Sequence, residues 1–141
     1  PLLCKAAYEL DGNFFIYGKD WPTEDGTCIR DYIHIQDLAE GHIKALEYQF
    51  LRRNQFDCYN LGTGKGTSVL ELINIFEDVN KVKIPYEITS RREGDTAILV
   101  ADNSYALNKL NWEPKRSLKK MCKDGYKWIT KNPRGYFNKY L

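Results

Sequence analysis

The 141-residue chain has no long apolar run, and its hydrophobic stretches fall far short of the ~20 residues that span a bilayer. We therefore expect no membrane partner. The only histidines are His34 and His42, and the four cysteines form no Cys-x-x-Cys pair and lie too far from a histidine for a structural zinc site. The sequence accordingly predicts no metal site and reduced thiols.

The chain also has little excess of one charge over the other, because 21 basic and 19 acidic residues leave a net charge of only +2. Basic residues dominate only from Lys115 onward, where interleaved aromatic side chains could stack on bases: Trp128, Tyr136, Phe137 and Tyr140. The alternative is a helix that exposes its lysines and buries Leu118, Met121, Cys122 and Ile129. We favour the helix and expect no nucleic-acid partner.

Hydrophobic periodicity predicts strands that alternate with helices, without repeats or low-complexity linkers. The predicted strands are NFFIYG, residues 28–35, CYNLG, residues 82–88 and ILVAD. This order indicates a mixed α/β fold, and the length fits one domain over residues 1–141.

Helix predictions depend mainly on apolar stripes and capping residues. A helical stripe covers residues 1–10 and ends at an Asp11–Gly12 turn. Capping boxes predict further helices at Asp37 with Glu40 and at Ser68 with Glu71. A short helix should be capped by Asp102 or Asn103, and the basic helix follows it.

Residues 16–42, IYGKDWPTEDGTCIRDYIHIQDLAEGH, are the most informative block of the sequence. Pro22, Asp25 and Gly26 mark a tight loop, and an alternating strand and a helix follow it. Loops that are positioned by rigid strands are where binding residues concentrate. We expect Trp21 and Asp25 to shape this loop rather than to contact a ligand.

This block resembles the signature of UDP-glucose 4-epimerases, which are NAD-dependent sugar-nucleotide isomerases of the extended short-chain dehydrogenase/reductase superfamily. The WPTEDGT stretch is longer than the loop usual in related dehydratases and decarboxylases, which favours the epimerases. The resemblance implies UDP-glucose and UDP-galactose as substrates, NAD as cofactor, a cytoplasmic location and a homodimeric intact enzyme. It runs from near Pro1 to about Pro133.

Two family motifs are missing from their proper places. The only glycine cluster, Gly62 to Gly66, does not have the spacing of a dinucleotide-binding fingerprint. It can form a tight turn or receive an anion, and both alternatives stay open here. Tyr105 and Lys109 satisfy Tyr-x-x-x-Lys, but their short helix has an apolar stripe and predicts a surface pair. The resemblance therefore implies a C-terminal substrate-binding portion without the N-terminal Rossmann part, and with no catalytic or cofactor-binding residue of its own.

A UDP-sugar site needs planar cations for its two phosphoryl groups and a carboxylate for the ribose diol. By motif position, the resemblance assigns the diphosphate to Arg30 and Arg92 and the ribose to Asp95. It also places Tyr17 near uracil, with Phe14, Phe15, Tyr32 and Val69 around the same pocket. Leu99 corresponds to a residue that limits space at C2 of the sugar, and its size favours UDP-glucose and UDP-galactose over N-acetyl sugars.

Two other functions remain open on the sequence alone. The chain can belong to another extended-family nucleotide-sugar dehydratase or decarboxylase, or it can be a non-catalytic nucleotide-sugar-binding or interaction module. The family resemblance implies that the helix after the Asp-Tyr-Ile-His block packs toward the nucleotide-binding domain. We therefore expect a 141-residue chain on its own to expose Leu38, Ile43 and Leu46 and to self-associate, or else to pack these residues differently from its relatives.

Overall fold

The computed structural model describes residues 1–8, 13–52 and 56–135, and it shows the mixed α/β architecture that the sequence predicts. Its helices are α1 (Leu2–Ala7), α2 (Ile35–Leu51), α3 (Val69–Asn80), α4 (Ser104–Leu110) and α5 (Leu118–Lys131). Its strands are β1 (Phe14–Tyr17), β2 (Ile29–Asp31), β3 (Gly66–Ser68), β4 (Tyr86–Thr89) and β5 (Ile98–Leu99). The predicted Asp11–Gly12 turn and the aromatic residues Tyr136, Phe137 and Tyr140 lie outside the described residues.

The strands form two small sheets. In one, β1 and β4 run parallel, with Phe14 opposite Tyr86 and Tyr17 opposite Thr89. In the other, β2 lies between antiparallel β3 and parallel β5. The second sheet is very short, because β2 and β3 have three residues each and β5 has two. Side-chain hydrogen bonds must therefore supply much of the order around β2.

The main core lies between α1, β1, α3 and α5. It forms because α3 carries an apolar stripe at helical spacing, and α5 places its own apolar side against that stripe. The ring of Phe76 meets the ring of Tyr126 edge-on, with 5.7 Å between their centroids. The buried members of this first core cluster are Leu3, Ala6, Ile16, Leu72, Ile73, Phe76, Ile84 and Cys122.

A second core cluster joins α2 to α4. Its buried members are Ala106, Leu110 and Trp112. Gly41 lets α2 approach this cluster closely, because a Cβ atom there would lie 3.0 Å from Leu61 and 3.1 Å from Trp112. The indole of Trp112 also donates to the backbone oxygen of Asp37 at 3.1 Å.

Local capping and stripe predictions are confirmed at two helices. Ser68 is the N-cap of α3, and its hydroxyl accepts from the backbone N–H of Glu71 at 3.0 Å. Helix α5 buries Cys122 and Ile129 and keeps its lysines exposed, as the helical interpretation of the basic segment predicts. At α4, the N-cap is Asn103, whose side chain makes no capping hydrogen bond, while the Asp102 carboxylate accepts from the backbone N–H of Ser104 at 3.0 Å.

The predicted capping box at Asp37 and Glu40 is wrong. Helix α2 begins earlier, at Ile35, and its N-cap is His34, whose Nδ1 accepts from the backbone N–H of Gln36 at 3.1 Å. His34 therefore does not lie on a strand. Asp37 is instead fully buried inside the first turns of α2.

The strand predictions are only partly correct. The segment CYNLG contains no strand in the described structure, because its residues pair with no neighbouring strand there. The strand predicted over residues 28–35 is limited to β2, and ILVAD is limited to β5. The strand predicted over residues 82–88 begins at Tyr86, directly after Pro85.

All four cysteines are free thiols. Within the described parts of the chain, no helix is long and apolar enough to cross a membrane. Those same residues contain no group of three or more His, Cys, Asp and Glu side chains that could surround a metal ion.

Asp37 ties α2 to the segment that enters α5. Its carboxylate accepts from the backbone N–H of Arg116 at 2.9 Å and from the Arg116 guanidinium at 2.5 Å. The second arm of that guanidinium donates to Glu40 at 2.9 Å. Burial opposes ionisation of Asp37, but bonds from the backbone of Arg116 and Lys115 and from the Arg116 side chain outweigh it, so the pKa of the carboxyl lies below its usual range.

We predict that Asp37→Ala lowers the free energy of unfolding by about 2 to 3 kcal/mol, because buried donors lose a charged acceptor. Urea unfolding followed by circular dichroism measures the change. Asp78→Ala is the control, since it removes an exposed pair with Lys81 and should leave the midpoint almost unchanged.

The stabilisation by Asp37 should also depend on pH. Because the pKa of Asp37 is lowered in the folded state, its contribution to the free energy of unfolding is present above the unfolded pKa of ~4 and is lost as pH falls through the folded pKa. The difference between wild type and Asp37→Ala should therefore shrink below that pH, and a difference that is constant with pH would contradict the assignment.

Candidate nucleotide-sugar site

Arg30 is positioned by the middle strand of the second sheet. Its Nη1 donates to the backbone oxygens of Ile29 at 2.8 Å and Thr96 at 2.9 Å. Its Nη2 lies 3.9 Å from Oδ1 of Asp95. Because the backbone acceptors fix the Nη1 end, the guanidinium has a defined direction toward the turn that contains Asp95.

The turn after β4 presents the second arginine. Arg92 donates from Nε to Oδ2 of Asp95 at 3.0 Å and from Nη2 to Oδ1 at 3.3 Å. Its guanidinium also lies over the ring of Tyr17, 4.3 Å from the centroid. The hydrogen bond with Asp95 raises the pKa of Arg92 further above its already high value. The Asp95 carboxylate accepts from Nε and Nη2 of Arg92 but not from Nη1, so the Nη1 end of the Arg92 guanidinium takes no part in this contact.

These contacts form one continuous group in which Tyr17, Arg92, Asp95 and Arg30 follow each other in space. The family resemblance assigns these residues to uracil, diphosphate and ribose, and the fold brings them together from three separate segments. Phe15 lies on the same face of β1 as Tyr17, since residues two apart on a strand share a face. Its side chain is 47% exposed, so it can form part of an accessible wall.

Leu99 lies beside Arg30. The parallel ladder between β2 and β5 pairs these two residues directly, which puts their side chains on one face of the sheet. Leu99 is 63% exposed and lines a shallow pocket of about 390 Å³ together with Arg30. The remaining lining residues are Asp31, Asn60, Leu61, Gly62, Val100, Ala101 and Asp102.

The other predicted pocket residues have mainly structural contacts. Phe14, Tyr32 and Val69 are partly buried and pack against the first core cluster. Burial raises the pKa of Tyr32 to about 12, so its phenol is neutral at physiological pH. None of these three side chains takes part in the hydrogen bonds that join Arg30, Arg92 and Asp95 among the described residues.

The turn of residues 62–66 already binds a carboxylate of the protein itself, that of Asp31. The carboxylate of Asp31 accepts from the backbone N–H groups of Thr63 and Gly64, both at 2.9 Å, and from the hydroxyl of Thr63. The N–H of Ala101 lies 3.4 Å from Oδ2 of the same carboxylate. A Cβ atom on Gly62 would lie only 2.5 Å from that oxygen, so glycine is required there. The turn therefore has a structural role, and the interpretation of this turn as a ligand-anion site is not supported.

Sequence reasoning did not identify Asp31 as important. Its donors lie more than thirty residues away along the chain, and no local pattern marks such an acceptor. The one available signal is its position between Arg30 and Tyr32, which marks the family resemblance but does not indicate this structural role.

Trp21 and Asp25 shape the long loop, as predicted. The Asp25 carboxylate accepts from the N–H and the hydroxyl of Thr27 at 2.8 and 2.7 Å and from the hydroxyl of Ser68. Burial opposes its ionisation, but these donors outweigh burial and lower the pKa of Asp25. Trp21 is buried and donates from its indole to the backbone oxygen of Tyr17 at 3.0 Å.

Tyr105 and Lys109 form a surface pair rather than a base and its activator. The Tyr105 hydroxyl donates to Asp57 at 2.9 Å, and its ring stacks on Tyr59 with 5.5 Å between centroids. Lys109 lies 5.8 Å from the Tyr105 centroid, over the ring face. The hydrogen bond to Asp57 raises the pKa of Tyr105, whereas a tyrosine base needs a lowered pKa.

A family model described as GDP-mannose 4,6 dehydratase matches residues 6–125. The chain therefore belongs to this family of nucleotide-sugar enzymes, within the extended short-chain dehydrogenase/reductase superfamily. UDP-glucose 4-epimerases are among its relatives. The epimerase of Bacillus subtilis (strain 168) is 50% identical over 136 residues, which are 96% of this chain and 40% of that protein.

Two solved structures show the same similarity in three dimensions. UDP-glucose 4-epimerase from Bifidobacterium longum, in complex with NAD+ and UDP, has a TM-score of 0.88 and 40% identity over 95% of this chain and 39% of that chain. The epimerase from Stenotrophomonas maltophila, with bound NAD and formylated UDP-arabinopyranose, has a TM-score of 0.86 and 42% identity over 94% and 39%. The chain thus spans about 40% of the length of the relatives it matches.

Proposed function

We propose that this chain is the UDP-sugar-binding, C-terminal portion of an NAD-dependent UDP-glucose 4-epimerase, which interconverts UDP-glucose and UDP-galactose through a 4-keto intermediate. The contact group formed by Tyr17, Arg92, Asp95 and Arg30 carries this proposal. It provides two guanidinium groups, a carboxylate and an aromatic face within one small region. The relatives solved with UDP and with a UDP-sugar derivative support the same ligand class.

Each part of the ligand has a chemically suitable partner. Nη1 of Arg92 and Nη2 of Arg30 make no hydrogen bond with Asp95 or with the backbone acceptors described above, and guanidinium groups suit phosphoryl oxygens. Asp95 lies between the two arginines and can accept from both hydroxyls of a ribose diol. Tyr17 and Phe15 lie on one face of β1 and supply an aromatic wall for uracil.

In this proposal the chain contributes binding and orientation. Binding energy from the nucleotide, which does not react, can orient the sugar for the chemical step. The only glycine-rich turn among the described residues is filled by the Asp31 carboxylate, so that turn does not offer the NAD pyrophosphate a binding position. We therefore assign the cofactor and the catalytic base of the complete enzyme to its N-terminal Rossmann portion.

A nucleotide-sugar dehydratase is the second candidate, because the matching family model is described as a dehydratase. The long ordered loop built around Asp25 and the epimerase relatives favour the epimerase. Product analysis of the complete protein with UDP-glucose distinguishes them. UDP-galactose supports the proposal, while loss of water to a 4-keto-6-deoxy sugar would contradict it.

We predict that Arg92→Ala weakens UDP binding about tenfold, because a charge-assisted contact to phosphate is lost. The turn is exposed, so the fold should be unaffected. Isothermal titration of UDP into the two proteins measures the ratio of their dissociation constants. Arg134→Ala is a matched control at an exposed arginine beyond the end of α5 and should bind UDP like wild type. Equal dissociation constants for wild type and Arg92→Ala would remove Arg92 from the site.

Sugar selectivity should depend on Leu99. Replacing Leu99 with alanine enlarges the pocket beside Arg30, and we expect the ratio of kcat/KM for UDP-N-acetylglucosamine over UDP-glucose to rise roughly tenfold in the complete enzyme. Ile98→Ala is the control, since Ile98 precedes Leu99 on β5 and its side chain points to the other face. Wild-type enzyme that used both sugars at comparable rates would contradict the proposed limit.

Helix α2 exposes an apolar stripe that needs a partner. Ile35, Ala39, Ile43, Leu46 and Phe50 follow helical spacing, and all are exposed, with Ile43 at 54% and Leu46 at 60%. Leu38 was predicted to share this exposure, but it is partly buried on another side of the helix. We propose that the N-terminal portion of the complete enzyme covers the stripe.

The 141-residue chain expressed alone should therefore self-associate, because contiguous apolar surface of this kind is unusual on monomers. Sedimentation velocity across a concentration series measures the association. Leu46→Glu should shift the chain toward monomer, whereas Lys44→Glu, on the opposite side of α2, should not. A wild-type chain that stays monomeric at every concentration would contradict this prediction.

A further inference from the structure

Two consecutive arginines lie on two aromatic rings that come from the same segment. Arg92 lies over Tyr17 at 4.3 Å, and Arg91 lies over Trp21 at 4.0 Å from the ring centroid. The two aromatic residues are themselves joined, because the Trp21 indole donates to the backbone oxygen of Tyr17 at 3.0 Å. The turn that carries Arg92 and Asp95 is thus attached to the long loop at two neighbouring points.

The hydrogen-bonding edge of Arg91 is also occupied by the loop. Its Nε donates to the carboxylate of Asp20 at 2.8 Å, and its Nη2 donates to the backbone oxygen of the same residue. Asp20 is 75% exposed, so the ion pair alone contributes little. Stacking on buried Trp21 and the bond to a fixed backbone oxygen define the direction of the guanidinium instead. Both the face and one edge of Arg91 are thus in contact with the loop, whereas Arg92 uses the corresponding groups for Tyr17 and for Asp95 within the proposed site.

The loop and the turn are in direct contact. A Cβ atom on Gly18 would lie 2.6 Å from the Trp21 indole nitrogen and 2.7 Å from Cγ of Arg91, so no larger residue fits between them. The N–H of Gly18 donates to Thr89 at the end of β4. By contrast, the tip of the turn has few contacts of its own. A Cβ atom on Gly94 would meet nothing within 4 Å, and the backbone bond from Asp95 N–H to Arg92 is 3.3 Å long.

We propose that Arg91 is a positioning residue that anchors the turn of residues 92–95 on the loop of residues 18–27, and that it thereby orients Arg92 toward the phosphates of a nucleoside diphosphate. This inference rests on the proposed function of Arg92. It gives the loop of residues 18–27 a role in binding without a direct ligand contact.

A double-mutant cycle tests the inference. UDP dissociation constants are measured by isothermal titration for wild type, Arg91→Ala, Arg92→Ala and the double variant. A positioning residue that acts through Arg92 should weaken binding roughly fivefold when it is replaced alone, and it should add almost nothing in the Arg92→Ala background. Arg91→Lys keeps the charge but not the planar face and should recover less than half of the lost affinity on a logarithmic scale.

A second measurement needs no ligand. Hydrogen exchange should become faster at the Asp95 amide in Arg91→Ala, while the amide of Glu71 at the start of α3 should keep its rate and so report an intact fold. If the Asp95 amide of the Arg91→Ala variant exchanges at the same rate as in wild type, the inference is wrong, whether or not the variant binds UDP.

The outcomes separate the inference from the proposed function. If Arg92→Ala weakens binding and Arg91→Ala does not, the inference is wrong and the proposed site stands. Additive effects in the cycle would make Arg91 an independent ligand contact and would also overturn the inference. If UDP does not bind, or Arg92→Ala binds it like wild type, the proposed site fails and the role of Arg91 in ligand orientation fails with it. Exchange at Asp95 then reports only whether Arg91 anchors the turn.

Discussion

The arrangement around the candidate site depends on the hydrogen bonds that the carboxylate of Asp31 accepts. It ends β2, accepts from two backbone N–H groups in the turn that leads into β3, and approaches a third N–H in the segment after β5. Strands of two and three residues form too few ladder bonds to define their own positions. The carboxylate supplies the missing order, and Arg30 and Leu99 lie side by side as a result.

Two other carboxylates act in the same way within a short stretch of chain. Asp25 joins the long loop to Ser68 at the N-cap of α3, and Asp37 joins α2 to the entrance of α5. Asp25, Asp31 and Asp37 thus organise the neighbourhood of β2 by accepting hydrogen bonds from distant segments. Buried or partly buried carboxylates are costly unless several donors satisfy them, and here each has at least two. These three acidic residues therefore have structural roles.

Features that depend on nearby residues were predictable from the sequence. The Ser68 cap and the stripes of α3 and α5 involve partners within a few positions, so their patterns are sufficient evidence. The prediction of a strand at CYNLG was wrong because a strand needs a neighbouring strand to pair with, and the periodicity of the sequence does not show whether one exists. The capping box at Asp37 failed because the imidazole of His34 takes the cap and a distant arginine takes the carboxylate. Arg30, Arg92 and Asp95, which the resemblance assigns to one ligand, lie in contact in the structure, whereas Asp31 and Arg91 became visible only through contacts over long separations.

The shared carboxylate between Arg92 and Arg30 has a consequence for how a charged ligand finds the site. Two guanidinium groups and one carboxylate leave only one unit of positive charge, and the exposed side chain of Arg92 lies in water at physiological ionic strength. A field of that size is screened within about 8 Å and attracts a diphosphate weakly from a distance. For the proposed nucleoside diphosphate, these three side chains therefore add little long-range steering. In that proposal their contribution comes from short-range geometry, which acts only once the nucleotide is in contact with the turn.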